Sequence, residues 1–165
     1  MRQTQEDRLA RIEERLAALE GAAAAPEPPP GQGQFWALRH LETLAEDPGA
    51  VLFTGLVGLP TGERYEWQQT LPAEGLLEAD WTLQAATLAA LAHPARLLIL
   101  REVLRGTRSA AELQSIEGIE STGQLYHHLR QLVAAGWLRT TGRARYAIPA
   151  ERVIPLLITV ACAHH

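Results

Sequence analysis

The sequence holds no lysine and one cysteine, Cys162, among its 165 residues. A single cysteine excludes a disulfide framework and any multi-cysteine metal cage. All 15 basic residues are arginine. With Ala and Leu so abundant, this reads as a coding bias toward GC-rich codons, and little chemistry attaches to Arg over Lys. No apolar run reaches the roughly 18–20 residues of a membrane span. The longest stretch, Val153 to Ala163, is broken by Pro155. The first residues carry no apolar h-region, so no secretory signal is visible. There is no nucleophile–base pair, glycine-rich phosphate loop or metal-ligand spacing, so no enzyme, cofactor or metal site is expected. With 47% apolar residues there is enough for a core, which predicts a soluble cytoplasmic protein.

Charge is present but unevenly placed. The net charge of −4 taken alone argues against nucleic acid. Residues 1–80, however, hold 6 Arg against 14 acidic residues, and residues 81–148 hold 8 Arg against 4 Glu. An acidic half joined to a basic half points to a polyanion meeting only the basic half.

Leu9, Ile12, Leu16 and Leu19 form an a/d-like seam in residues 1–20. The segment is either a short coiled coil that pairs subunits or a lone amphipathic helix. Residues 21–34 (GAAAAPEPPPGQGQ) read as a linker. Residues 35–79 read as an extension: a helix from Phe35 to Glu46, a strand from Ala50 to Leu59, a Pro60-Thr61-Gly62 turn and a strand from Glu63 to Thr70. This hairpin places Val51, Phe53, Gly55 and Val57 on one face, with Tyr65 and Trp67 able to oppose them. It either carries an effector or partner surface near Trp36, Tyr65 and Trp67, or simply enlarges a dimer core.

Residues 80–148 carry the functional pattern. Asp80 caps a helix expected to run to about Ala92. Pro94 opens the next, Ala95 to Arg105, with Leu97, Leu100, Val103 and Leu104 inward and Gly106 at its end. Ser109-Ala110-Ala111-Glu112 is a capping box for a short helix to about Ser115. Ser121-Thr122-Gly123-Gln124 is a second box, opening a helix that ends at Gly136. Short helix, turn and longer capped helix make a helix-turn-helix. Two short strands around a Thr141-Gly142 turn then form a wing bearing Arg139, Arg143 and Arg145. Residues 149–165 read as an apolar terminal helix starting at Pro149, kinked or restarted at Pro155, and suited to a dimer interface. Cys162 is expected to be buried. The fold class is therefore mainly α with small β-hairpins (α+β): a winged helix-turn-helix domain preceded by a short coiled-coil helix and a helix–β-hairpin extension.

At 100° per residue, Leu125, Leu129, Leu132 and Val133 face the core. Gly123, His127, Arg130 and Gln131 face outward, flanked by Gln124 and His128. Such side chains read base edges in a major groove, where Arg pairs with guanine and Gln with adenine. Gly123 lets the helix N-terminus approach a phosphate. The wing arginines suit phosphates or the minor groove. His127 and His128, as neighbours, cannot easily chelate one metal, and Tyr126 reads as a packing residue.

Residues 85–148 resemble the ArsR-type winged helix-turn-helix regulators. The similarity lies in LAALAHPARLLILREVLRG and in STGQLYHHLRQLVAAGWL, above all its His-His-Leu-Arg-x-Leu portion. The resemblance implies a homodimeric transcriptional regulator on a palindromic operator, in which Thr122, Gln124, His127 and Arg130 contact double-stranded DNA. The module's first helix and the chain's last helix would make the dimer. The chain departs from the family's metal sensors: Glu112-Leu113-Gln114-Ser115 replaces the clustered cysteines of the short helix, and residues 151–162 lack spaced Asp/His pairs. The expectation is a sequence-specific regulator, a repressor, associated with the nucleoid when bound to DNA and answering to a small-molecule or protein effector. The alternative is a winged-helix protein–protein interaction module.

Overall fold

The computed structural model describes residues 11–16 and 35–164. The chain divides into two compact units, Met1–Leu44 and Ala45–His165. In the first, residues 11–16 are helical (α1), and Ile12 and Leu16 are exposed on them. Leu9 and Leu19 of the expected seam, the 21–34 linker and His165 lie outside the described residues. A second helix, α2, spans Trp36–Leu44 and exposes Trp36, Leu38 and Leu44.

The second unit starts with a hairpin. Strand β1 (Ala50–Gly58) pairs antiparallel with β2 (Arg64–Pro72), setting Gly55 opposite Trp67 and Val57 opposite Tyr65. Directly opposed residues share a face, so Phe53, Gly55 and Val57 lie beside Tyr65 and Trp67. Val51, expected on that face, is exposed. The hairpin packs on the chain's last helix, α8 (Ala150–Cys162). Gly55 makes the approach close: a Cβ added there would lie 2.5 Å from Ile154 Cγ2.

Helix α3 (Ala73–Glu78) follows where the sequence reading ends the strand and places nothing. Asp80 caps as expected, its carboxylate accepting from the Thr82 N–H and hydroxyl. What it starts is a 3-10 turn, Trp81–Gln84, followed by α4 (Ala85–Ala89), rather than one helix to Ala92.

Helix α5 (Pro94–Leu104) is capped by His93, whose Nδ1 accepts from Ala95 N. Its buried side is Ala95, Ile99, Leu100 and Val103. Leu97 is 40% exposed and Leu104 only partly buried. Helical pitch is the reason: positions 95, 99 and 103 form the i, i+4, i+8 stripe, and 97, expected inward, lies on the far side of it.

Helices α6 (Ala110–Gln114) and α7 (Thr122–Ala134) form the helix-turn-helix, and β3 (Arg139–Gly142) and β4 (Arg145–Ala147) the wing. The wing turns at Arg143-Ala144, with Ala144 at φ +53°, not at Thr141-Gly142. Ala110 N donates to Ala144 O and Tyr146 N to Arg108 O, which ties the wing to the chain entering α6. Trp137 is buried and its Nε1 donates to Thr87 O at 2.9 Å, tying the end of the recognition module back to α4.

The core gathers Ile99, Leu100, Leu113, Leu125, Leu129, Leu132, Leu138 and Val153, all essentially inaccessible. Helix α8 runs through Pro155 without a restart and buries Val153, Ile154 and Leu156. Cys162 is exposed, contrary to expectation, because it lies beyond the last buried turn of α8. Among the described residues no single helix is long and apolar enough to cross a membrane.

Candidate nucleic-acid interface

The recognition-helix candidate is α7. Its start is fixed by Ser121, whose hydroxyl accepts from Gln124 N at 3.2 Å. The reciprocal half of the expected capping box is missing. Gln124 instead accepts from Glu120 N through its side-chain oxygen, and it is half-buried. By contrast the Ser109–Glu112 box at α6 is complete in both directions. Its hydrogen bonds from Ser109, side chain first, hold the Glu112 carboxyl below its ordinary pKa.

Leu125, His128, Leu129 and Leu132 form the buried stripe of α7. Thr122, Gly123, His127, Arg130 and Gln131 are exposed on the other side. The backbone at Gly123 is open to solvent, since a Cβ there would meet nothing within 4 Å. Tyr126, read as a packing residue, is exposed, and so is Val133. Val133 borders a shallow recess with Arg130, Thr140 and Tyr146, where the wing meets the helix.

His128 is the main departure. Read as flanking the outer face, it is buried at 4% exposure, and neither ring nitrogen has a hydrogen-bond partner. Its position explains this: 128 lies three residues after Leu125 and four before Leu132, inside the apolar stripe. Its ring sits 4.5 Å from that of His93 at the start of α5, and 5.6 Å from that of His127. Burial first, then the charges of His93, His127 and Arg96, hold its pKa below the ordinary 6.5. Among the described residues no group of three or more His, Cys, Asp or Glu is arranged to hold a metal.

The wing has two faces. Thr140 and Tyr146 turn toward α7. Arg139, Thr141 and Arg145 turn the other way, toward the β1–β2 hairpin. Arg143 occupies the turn itself, and all three arginines are exposed. The structure thus brings a polar helix face and a basic hairpin together in one module.

Residues 91–141 match the family model of the helix-turn-helix domain. The match runs from just before α5 through α6 and α7 into β3. It supports DNA binding in transcription regulation, carried by a winged helix-turn-helix fold. No curated protein and no solved structure matches the chain.

Trp36 belongs to the first unit and is exposed. Tyr65 packs partly buried against the core of the second, and Trp67 is half-buried with its indole nitrogen unpaired. Two residues escape sequence reasoning. Arg108, before α6, pairs with Glu63, before β2, across 45 positions of chain. His93 both caps α5 and faces His128. A signal for His93 exists, since a polar residue directly before Pro94 is a capping position. The Arg108–Glu63 pair leaves no local signature.

Proposed function

We propose that this protein is a sequence-specific transcriptional regulator that represses by binding a palindromic operator as a homodimer. The observation that carries the reading is the exposed face of α7: Thr122, Gly123, His127, Arg130 and Gln131 stand clear of the core beside a basic wing. Gln124 lies at the edge of this face. The helix enters the major groove, and its open N-terminal backbone at Gly123 approaches a phosphate. Arg139, Arg143 and Arg145 bind the DNA backbone. The likeness of residues 85–148 to ArsR-type regulators supports the same docking.

For dimerisation, α5 takes the place of the module's first helix that the resemblance implies, alongside the chain's last helix, α8. Between them runs an apolar groove of about 560 Å³ that includes Leu97, Leu104, Leu157 and Val160. Leu97 and Val160 are among the large apolar residues left exposed, which supports a second copy of the chain as their cover. Two recognition helices then meet successive major grooves about 34 Å apart. The reading includes no catalytic step, and it places the protein in the cytoplasm, on the nucleoid when DNA-bound.

The test is the equilibrium binding of a labelled operator by wild type, Arg130→Ala and the double variant Arg143→Ala/Arg145→Ala. Arg130→Ala should relax sequence preference at one position per half-site. The wing variant should weaken all sequences alike and flatten the salt dependence. It removes two phosphate-binding arginines from each protomer, so the slope of log K against log salt should fall by roughly 3–4 in a dimer. Unchanged binding by both variants, with folding intact, would overturn the reading.

A further inference from the structure

The β1–β2 hairpin, the wing and the chain entering α6 border a half-open cavity of about 180 Å³. Three arginines line it, Arg108, Arg139 and Arg145, against a single acidic residue, Glu63. Thr141 adds a hydroxyl and Tyr65 a phenol ring. Leu59, Val103, Ile148 and Val153 make the rest of the lining apolar. Glu63 is already engaged by the Thr61 hydroxyl at 2.8 Å and by Arg108. The Thr61 bond first, then Arg108, holds its carboxyl below the ordinary pKa, so it stays anionic. Two positive charges therefore remain unmatched. Arg139 and Arg145 take part in no ion pair among the described residues, although Glu112 feels the charge of Arg145. Arg108 Nε is buried without an acceptor.

Arginine clusters favour planar, bidentate acceptors, and carboxylates fit that fork. The polar side chains dominate the lining, and its smaller apolar part suits a compact carbon body behind the charge. A cavity of about 150 Å³ accommodates a benzene ring, so the space here suits one ring or a short branched chain.

We propose that this cavity is an effector site for a small carboxylic acid with a compact apolar body, bound by Arg108, Arg139 and Arg145. The proposal rests on the regulator reading for its consequence but not for the binding itself. The ligand would sit where two structures meet. The Arg108 side chain pairs with the hairpin through Glu63, and its carbonyl accepts from Tyr146 N of the wing at 2.8 Å. A carboxylate here, shared between the two wing arginines Arg139 and Arg145, offsets one of their two charges and draws the wing toward the hairpin. Both effects lower the charge offered to DNA, so the ligand acts as an inducer.

Benzoate is the probe, with benzamide as its neutral analogue and inorganic phosphate as an anion without the apolar body. Calorimetric titration of the full chain without DNA should show saturable benzoate binding, with benzamide and phosphate at least tenfold weaker. Arg108→Gln and Arg139→Gln should each weaken benzoate at least tenfold. Arg139 is an exposed strand residue, so its variant keeps the test valid if Arg108→Gln fails to fold. Glu63→Gln removes the competing carboxylate and should tighten binding. Saturating benzoate should then weaken DNA binding roughly 5- to 150-fold, the usual span of allosteric coupling. No saturable binding, equal binding of phosphate, or indifference to Arg139→Gln would overturn the site. Benzoate binding that leaves DNA affinity unchanged would overturn its role as inducer. A protein that takes up benzoate but binds no DNA at any salt would sink the regulator reading alone.

Discussion

Replacing Gly55 by alanine tests whether the hairpin is an integral part of the winged-helix unit. The new Cβ would lie 2.5 Å from Ile154 Cγ2 and 3.1 Å from its Cδ1. Carbon atoms rest at about 3.5–4.0 Å, so the overlap is near 1 Å. Ile154 is 3% exposed and held in α8, and Gly55 is held by its pairing with Trp67. Relief therefore requires the hairpin to lift from the helix. Overpacking of this kind costs about 1–3 kcal/mol. The glycine-to-alanine entropy gain returns about 0.5–1 kcal/mol, leaving a net loss of about 0–2.5 kcal/mol. Ile154→Ala alone should cost about 2–5 kcal/mol, but it clears the space a Cβ needs. On that background Gly55→Ala should be neutral or slightly stabilising. Urea unfolding of the four proteins, with m unchanged, gives the coupling directly, and at least about 1 kcal/mol is expected. If Gly55→Ala costs the same in both backgrounds, the hairpin does not rest on Ile154, and the cavity beneath it loses its wall.

Stability should also depend on His128. Its folded pKa lies below 6.5, so the unfolded chain takes this proton first as pH falls. The contribution is complete above about pH 7 and is lost as pH drops from 6.5 toward the folded value, at no more than about 1.4 kcal/mol per pH unit. His128→Leu should remove that slope, and should raise stability at neutral pH by about 1–3 kcal/mol by eliminating two unpaired buried nitrogens. Urea midpoints of both proteins from pH 5 to 8 would show parallel curves if the idea is wrong. Trp137→Phe removes the donor to Thr87 O and should cost about 1–3 kcal/mol in thermal or urea unfolding. A neutral outcome would mean the indole bond does not secure α4. Val160→Asp changes an exposed residue of α8, so the monomer's fold should survive while the dimer dissociates. Light scattering that still reports a dimer would place the interface elsewhere.

The local punctuation of this fold is legible in the sequence. Ser109, Ser121 and Asp80 cap where their side chains can reach backbone N–H groups two or three residues on. Gly106 and Gly136 close α5 and α7 with positive φ. Both hairpins are visible as well. The wing turn falls away from its expected place because glycine ordinarily takes the left-handed position, whereas here Ala144 does. Helix α3 escapes notice because Pro72 reads as a stop, although Pro72 is its N-cap and Glu74 lies in its first turn. His128 misleads through its chemistry: a polar ring suggests an outward position, but the helical period puts it in the apolar stripe. The Arg108–Glu63 pair and the cavity it borders belong to tertiary structure alone, since residues from the β1–β2 turn to α8 must fold together to form them.

The central claim is that α7 reads DNA sequence while the wing holds the DNA backbone. Selection of random duplex DNA by the purified protein, followed by titration of the enriched sequence across salt, tests it most directly. An enriched inverted repeat with half-sites about one helical turn apart, and a steep negative salt slope, is the predicted result. No enrichment, with weak binding even at low salt, would contradict it.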